Sequence, residues 1–329
     1  MAQSGEAFMS APTLYISRLL PDPVMTAARR QFQLLNDPRD ASPSWDSVKT
    51  GLREAEAAIC TLTDRVDASM LAEATRLKVL ANYAVGYNNI DLAAAKTRGI
   101  VVTNTPDVLT DSTADLTWAL LLAVARRVAE GDAYVRSGDW SGWAPTQMLG
   151  ADVSGKTLGI IGMGRIGQAV AQRATGFNMR IRYTSRTPAT LEGLPSHWES
   201  RALPDLLQEA DFVSLHVPLT PATHHLIGAR RLALMKPTAF LINTSRGPVV
   251  EESALVDALL QRRLAGAGLD VFEQEPAFHP SLRELRQVVL LPHLGSATLA
   301  TRVRMGMICL ENIAAVLSGR PAPNQVHPA

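Results

Sequence analysis

The sequence feature that most restricts the fold is a short apolar run that leads directly into three closely spaced glycines. The run Thr157–Ile161 has the composition of a buried strand, and Gly162-Met163-Gly164-Arg165-Ile166-Gly167 follows it without a break. The next residues, Gln168–Thr175, have the composition of a helix. A G-x-G-x-x-G sequence between a strand and a helix is typical of a βαβ unit in a parallel sheet.

The three glycines also predict a ligand, because each of them has a separate function in a dinucleotide-binding turn. Gly162 permits the tight turn, Gly164 lets a pyrophosphate approach the backbone, and Gly167 lets the helix and the strand pack closely. Free N–H groups and partial positive charge at the start of the helix favour phosphates. We therefore predict a dinucleotide site whose turn comprises Gly162, Met163, Gly164, Arg165, Ile166 and Gly167.

Strand-like and helix-like segments alternate along most of the 329 residues, a length that suits two domains. The predicted strands of the first series are Thr13–Leu20, Ala57–Leu62, Leu77–Asn82 and Ile100–Asn104, and those of the second are Thr157–Ile161, Arg180–Thr184, Phe212–Val217, Ala239–Thr244, Ala267–Phe272 and Val288–Leu291. A long helical run, Asp111–Arg136, separates the two series, and a final helix over Ala300–Leu317 follows them. The pattern predicts two doubly wound α/β domains.

The composition of the chain disfavours some classes of binding partner. The formal net charge of +1 provides no large basic surface for nucleic acid or a membrane, so we expect a small-molecule partner. Cys60 and Cys309 lie in apolar stretches and predict reduced core cysteines rather than a disulfide framework. The sequence shows neither a secretory signal nor an apolar run of membrane-spanning length. We therefore expect a cytoplasmic protein, and we predict no metal site.

The end of the strand after the glycine turn bears on the choice of cofactor. An NAD site usually places an acidic residue about 20 residues after the glycines, where it binds the ribose 2′-hydroxyl. Here Ser185-Arg186-Thr187 follows the strand, and the first carboxylate after it is Glu192. Arg186 is suited to a 2′-phosphate, and Ser185 and Thr187 are able to donate hydrogen bonds to it. We therefore predict a preference for NADPH, with NADH possible.

Three residues at strand ends in the second series suit the reduction of a 2-oxo acid. Arg246 follows a strand directly and can bind a carboxylate with two parallel N–H bonds. Histidine is the residue type whose reference pKa is nearest neutrality, so His293 is suited to deliver a proton, and Glu275 beside it would stabilise the imidazolium and orient the ring. We predict Arg246, Glu275 and His293 as the catalytic residues.

Together these motifs resemble the D-isomer-specific 2-hydroxyacid dehydrogenase family and, within it, the glyoxylate/hydroxypyruvate reductases. The resemblance runs from about Ala57 to Thr301. The motifs that carry it are Val85–Asp91, Asn104–Thr110, Gly162–Gly167, Asn243–Gly247, Gly268–Pro276 and Pro292–Thr298. The stretch Thr105–Asp115 and the Ser185-Arg186-Thr187 turn point to the reductase branch.

The resemblance implies roles for further residues. It implies that Arg246, the backbone N–H groups of Val85 and Gly86, and Ser296 bind the substrate. It implies that a tryptophan, Trp140 or Trp143, reaches the active site of a partner chain in a homodimer. Asp270 would bind the nicotinamide carboxamide. The other residues implied to contact the cofactor are Thr244, Ser245, His293 and Gly295, in addition to the glycine turn and Ser185, Arg186 and Thr187.

The resemblance also implies how the domains are arranged. A Rossmann cofactor domain, residues 106–298, would be inserted in a flavodoxin-like substrate domain, residues 1–105 and 299–329. The second domain would include a dimerisation arm near residues 110–150. The last predicted helix comes too late to extend the second sheet easily, so its return to the first domain fits this arrangement.

The predicted function is NADPH-preferring reduction of glyoxylate or hydroxypyruvate, with His293 as the general acid. Two other dehydrogenase types, acting on pyruvate or on phosphoglycerate, remain alternatives. Phosphoglycerate enzymes often carry a regulatory domain, which we do not expect after Ala329. A formate dehydrogenase of the same superfamily would be expected to pair its histidine with a glutamine. Here the residue directly before Pro276 is Glu275, and Gln274 is one position further away, which disfavours that alternative. A nucleotide-sensing corepressor-like binding protein is the remaining alternative from a different functional class.

Overall fold

The computed structural model of the protein describes residues 11–186 and 195–328. The chain divides into two compact units, of which the first runs to Leu109 and resumes at Ala297, and the second is Thr110–Ser296. Within the described residues, each unit contains a single sheet, and every pair of neighbouring strands is parallel. The predicted fold class, an α/β protein with two parallel sheets, is confirmed.

In the described part of unit 1 the sheet has five strands in the order β2-β1-β3-β4-β5, which is the flavodoxin-like order. Its strands are β1 (Thr13–Ile16), β2 (Gln33–Leu34), β3 (Ala57–Cys60), β4 (Val79–Asn82) and β5 (Val101–Thr103). Its helices are α1 (Asp22–Gln31), α2 (Trp45–Glu54), α3 (Ala68–Glu73), α4 (Leu92–Thr97) and α11 (Leu299–Leu317). The central strands β3 and β4 are buried along their whole length, as expected where helices cover both faces.

Helix α11 belongs to unit 1 because its apolar side chains complete that core. Leu310 and Ile313 are buried together with Leu14 and Ile16 of β1. The hydroxyl of Tyr83, just after β4, donates a hydrogen bond to the carbonyl of Arg302 in α11. The final helix therefore packs on the first sheet.

In the described part of unit 2 the sheet has seven strands in the order β12-β11-β10-β9-β6-β7-β8. The strands are β6 (Thr157–Ile161), β7 (Arg180–Thr184), β8 (Glu199–Ser200), β9 (Phe212–Leu215), β10 (Phe240–Asn243), β11 (Gly266–Leu269) and β12 (Val288–Leu290). The helices are α5 (Thr110–Ala125), α6 (Val128–Arg136), α7 (Arg165–Ala174), α8 (Leu203–Glu209), α9 (Ala229–Leu232) and α10 (Glu252–Leu260). This is the Rossmann order with one strand added, and the order reverses between β6 and β9.

The ends of the central strands of this sheet are aligned. Ile161 pairs with both Thr184 and Leu215, and Asn243 pairs with both Leu215 and Leu269. The residues that follow these strands therefore leave the sheet along one row at its carboxyl edge.

The prediction of one long helix over Asp111–Arg136 is wrong in one respect, because this segment forms two helices. Arg127 has a φ of 54°, in the left-handed region, and separates α5 from α6. Its guanidinium donates to both carboxylate oxygens of Glu130, at 2.9 and 2.7 Å. This local ion pair stabilises the first turn of α6. Among the described residues, no helix is long and apolar enough to cross a membrane.

Neighbouring leucines at the end of α10 allow a matched test of the core of unit 2. Leu259 is fully buried and Leu260 is 58% exposed. We expect Leu259→Ala to lower the free energy of unfolding by about 2–5 kcal/mol, because it removes buried methyl groups and leaves a cavity. Leu260→Ala should change it by about 0.5 kcal/mol or less. Urea denaturation followed by circular dichroism measures both, and equal losses would contradict the packing described here.

Candidate active site

The predicted dinucleotide turn joins β6 to α7, where the strand order reverses. Gly162 has a φ of 99°, and a Cβ on it would lie 2.6 Å from the carbonyl oxygen of His216. A Cβ on Gly167 would lie 2.2 Å from the carbonyl oxygen of Gly162. Both positions therefore require glycine. A Cβ on Gly164 would meet no heavy atom within 4 Å, so the space in front of α7 is open.

This turn fits a pyrophosphate. Gly164 is the N-cap of α7 and has no side chain, so the N-cap residue itself places no capping group in front of the helix. Strand β7 ends beside it, and the N–H of Gly162 donates to the carbonyl of Thr184 at 2.9 Å. The half-buried Ser185 and the exposed Arg186 come directly after β7. Thr187, which was predicted with them, lies outside the described residues.

The structure brings the predicted His293 and Glu275 together. Nδ1 of His293 lies 2.9 Å from Oε2 of Glu275, and Oε1 of Glu275 accepts from the N–H of Phe272 at 3.1 Å. Burial acts to raise the pKa of Glu275, but His293, the Phe272 N–H and the charge of Arg246 outweigh it and hold that pKa below its usual value. Glu275 is therefore a charged partner for the imidazole ring.

Asp270 holds the backbone that carries His293. This residue is 1% exposed and follows β11. Its carbonyl accepts from the N–H of His293 at 2.9 Å, and its two carboxylate oxygens accept from the N–H groups of Leu294 at 2.6 Å and Gly295 at 2.8 Å. Burial raises the pKa of Asp270, against the effect of these bonds and of His293. His293 itself has a φ of 56°, which these bonds help to hold.

Arg246 lies in a turn that Asn243, the last residue of β10, fixes. The Asn243 amide donates to the carbonyl of Arg246 at 3.0 Å, and its oxygen accepts from Ser245 N–H at 3.0 Å and from Ser245 Oγ at 2.8 Å. Burial lowers the pKa of Arg246, and the charge of Glu275 opposes that shift. The guanidinium therefore lies in the same electrostatic environment as the His293–Glu275 pair.

Two threonines of α5 support predicted cofactor residues, and the sequence analysis missed them. Oγ1 of Thr117 lies 2.8 Å from Oγ1 of Thr244, and Oγ1 of Thr113 donates to the carbonyl of Gly295 at 3.1 Å. The signal was present, because two threonines four residues apart on a mostly apolar helix share one face. Nothing in the sequence indicated which partners they would meet.

Val85 and Gly86 lie in unit 1, in the segment after β4. The carbonyl of Val85 accepts from the side-chain amide of Asn104 at 2.8 Å, and that of Gly86 accepts from the amide of Asn82 at 2.8 Å. Asn82 is the last residue of β4 and Asn104 directly follows β5. Asn104 opens the Asn104–Thr110 motif, but neither side chain was predicted to fix this backbone. They hold the backbone of this segment within its own unit.

The remaining predicted substrate residues lie in unit 2. Ser296 directly follows Gly295 and is half-buried. Trp140 and Trp143 come after α6, and they are 51% and 82% exposed in this chain. The structure of the chain therefore places both indole rings at the surface.

Comparisons with known proteins identify the family of this chain. The family model described as "D-isomer specific 2-hydroxyacid dehydrogenase, NAD binding domain" matches residues 118–295. A glyoxylate reductase of Thermococcus litoralis is 49% identical over 324 residues, which cover 96% of this chain and 97% of that protein. A glyoxylate reductase of Pyrococcus horikoshii is 48% identical over 320 residues, which cover 96% of each.

Solved structures show the same fold over nearly the whole chain. A crystal structure of a Thermus thermophilus protein has a TM-score of 0.89 at 48% identity, and the match covers 95% of this chain and 99% of that one. The NADPH-dependent glyoxylate/hydroxypyruvate reductase of Sinorhizobium meliloti, in complex with NADP and malonate, has a TM-score of 0.86 at 34% identity, with 96% and 97% covered. The resemblance stated from the motifs is thereby confirmed. The chain belongs to the D-isomer-specific 2-hydroxyacid dehydrogenase family and is an NAD(P)-dependent oxidoreductase.

Proposed function

We propose that this protein reduces glyoxylate or hydroxypyruvate with NADPH. The observation that carries the proposal is the 2.9 Å contact between His293 Nδ1 and Glu275 Oε2, in the same unit as the glycine turn and within the electrostatic influence of Arg246. The glyoxylate reductases that are 49% and 48% identical support the substrate class. The similar structure that holds NADP and malonate supports the cofactor.

The substrate carboxylate is bound by Arg246. A guanidinium presents N–H donors in a rigid fork that matches a carboxylate, and burial strengthens the interaction by excluding water. One N–H of Arg246 is committed to the carbonyl of Ser245 at 2.7 Å, which orients the group. The N–H groups of Val85 and Gly86 and the hydroxyl of Ser296 remain predicted contributors to the same substrate.

The proton comes from His293. Because Nδ1 bonds to Glu275, Nε2 is the ring nitrogen that donates to the 2-oxygen of the substrate. Glu275 stays ionised and stabilises the imidazolium, which keeps the acid charged until the proton moves. When bound, a reduced nicotinamide cofactor would supply the hydride for carbon 2. Proton and hydride together convert the 2-oxo acid to the 2-hydroxy acid.

The cofactor is held at two places in this proposal. The N–H groups of the glycine turn would bind its pyrophosphate, and Ser185, Arg186 and the predicted Thr187 would bind its 2′-phosphate. At the nicotinamide end, the proposed contacts are Thr244, Ser245, Asp270, His293 and Gly295. The carboxylate oxygens of Asp270 each accept one backbone N–H and keep a second lone pair for a carboxamide.

A substrate and cofactor panel tests the proposal. We expect kcat/KM to be highest for glyoxylate or hydroxypyruvate with NADPH, and lower for pyruvate and with NADH. Arg186→Ala should raise the KM for NADPH about 10- to 100-fold, which corresponds to losing a charge-assisted bond of about 1.5–3 kcal/mol, and should leave NADH almost unchanged. Arg180→Ala, at the opposite end of β7, is the matched control for lost charge.

Each contrary result of this panel has a distinct meaning. Equal losses for NADPH and NADH in Arg186→Ala would remove the 2′-phosphate role from that residue. A preference for pyruvate or phosphoglycerate would move the protein to another dehydrogenase type of the family. Binding of NADPH without turnover of any of these acids would favour the nucleotide-sensing alternative.

The role of Glu275 predicts a change in pH dependence. Reduction needs protonated His293, so activity falls as pH rises through the titration of the ring. The carboxylate favours the charged ring, so Glu275→Gln should move this falling limb to lower pH and lower kcat by about 10²-fold. Glu284→Gln, an exposed carboxylate in the same unit, is the control. An unchanged limb in Glu275→Gln would exclude the proposed partnership.

We also propose that the protein is a homodimer that uses the segment around α6. Large apolar side chains are exposed there, in contrast to their usual burial; they are Val128, Val135, Trp140, Trp143 and Leu149. A second copy of the chain would cover them. One of the two tryptophans would then reach the partner's active site, and the choice between them remains open.

The dimer is tested by sedimentation equilibrium. Trp143→Ser should weaken dimerisation by about 2 kcal/mol, because tryptophan is enriched among the interface residues whose truncation costs about that much or more. Trp45→Ser, which changes an exposed tryptophan of unit 1, is the control and should leave the dimer intact. A monomeric parent protein, or a fully dimeric Trp143→Ser variant, would contradict this assignment of the interface.

A further inference from the structure

The turn that carries Glu275 is held on both sides by one carboxylate that the proposed mechanism does not use. Glu252 is the first residue of α10. Its Oε2 accepts from the N–H of Glu273 at 3.0 Å, and its Oε1 accepts from the N–H of His279. Glu273 precedes Glu275 by two residues and His279 follows it by four. A single side chain therefore closes this turn around Glu275.

The carboxylate of Glu273 in turn accepts a hydrogen bond from the start of α10. Its Oε2 accepts from the N–H of Glu252 at 3.0 Å, and its Oε1 lies 2.7 Å from Nε2 of His225. Burial acts to raise the pKa of Glu273, but the Glu252 N–H, the His225 bond and the nearby charge of His225 and His224 outweigh it, so that pKa lies below its usual value. A carboxylate at a helix N-terminus is further stabilised by the helix dipole.

His225 connects this cluster to the segment after Arg246. The N–H of His225 donates to the carbonyl of Pro248 at 2.8 Å. On the other side, Gly247 packs directly on the backbone of Phe272, since a Cβ on Gly247 would lie 1.8 Å from the Phe272 carbonyl oxygen. The loops that carry Arg246 and Glu275 thus pack on each other and are connected through His225 outside the proposed site.

We propose that Glu252 is a positioning residue for this enzyme, which acts through Glu275 and His293. It makes reciprocal bonds with Glu273 and keeps the Glu275 carboxylate at hydrogen-bonding distance from the His293 ring. The inference rests on the proposed roles of Glu275 and His293. Small displacements matter here, because a misplacement of about 1 Å at a catalytic group costs about 10²-fold in rate.

Glu252→Gln tests the proposal with minimal change in shape. The amide nitrogen of glutamine is unable to accept a hydrogen bond, so one of the two N–H groups loses its partner. We expect kcat to fall about tenfold or more, with little change in the KM for NADPH. The falling limb of the pH profile should move to lower pH, as in Glu275→Gln.

Glu251→Gln is the matched control. This neighbouring carboxylate bonds to the N–H of Ala229 at 3.3 Å, on a different segment, and its loss removes the same charge from the same helix end. We expect it to leave kcat and the pH profile close to those of the parent. An equal shift in both variants would mean that charge alone is responsible, and it would overturn the positioning role.

Two further measurements need no turnover, so they separate this proposal from the choice of substrate. The ring titration of His293, followed by NMR, should move to lower pH in Glu252→Gln and stay in place in Glu251→Gln. Among the described residues, Glu275 bonds to this ring, Asp270 interacts with it electrostatically, and the charge of Arg246 acts on Glu275. Amide exchange at Glu273 and His279 should become faster in Glu252→Gln. Faster exchange with an unchanged ring titration would overturn the proposal.

A second variant covers the case in which Glu252→Gln does not fold. His225→Asn removes the partner of Glu273 Oε1 and so weakens the hold on the Glu273 carboxylate, which is reciprocally bonded to Glu252. We expect the His293 titration to move in the same direction by a smaller amount. No movement in a folded His225→Asn variant would separate the cluster from the His293 ring and overturn the proposal.

Discussion

The organisation of unit 2 depends on the way parallel strands end along a common edge of the sheet. The last residues of β7, β6, β9, β10 and β11 are paired in one row, from Thr184 to Leu269. The residues that follow them therefore leave the sheet side by side, and they include Ser185, Gly162, Thr244 and Asp270. Segments that are far apart in sequence meet there because each strand is bonded to its neighbours in a fixed register.

Carboxylates that accept backbone N–H groups hold the loops beyond this edge. Asp270 fixes the backbone after His293, Glu275 accepts from Phe272, and Glu252 accepts from both sides of the Glu275 turn. An ionised acceptor makes a stronger bond than a neutral one, so a few acids are able to fix a long loop. The same loops also carry the groups proposed to act on the substrate.

The sequence was most informative where the conformation of a short segment requires a particular residue type. The glycine turn was predicted because Gly162 needs a positive φ and Gly167 a close approach, both of which follow from a strand–turn–helix pattern. The strand at Arg180–Thr184 was predicted with its observed bounds. In contrast, the short strands β2 and β8 and the break at Arg127 were missed, since neighbouring segments and one ion pair decide them.

By itself, the sequence determined the two α/β units, the family, and the identity of the histidine, glutamate and arginine proposed for catalysis. These follow from periodicity and from motifs within short stretches of chain. Only the tertiary structure decided which polar groups support them: Thr113 beneath Gly295, Thr117 beside Thr244, and Glu252 around the Glu275 turn. Such partners are separated by tens to hundreds of residues, and their pairing depends on strand register and helix packing, which no local pattern encodes.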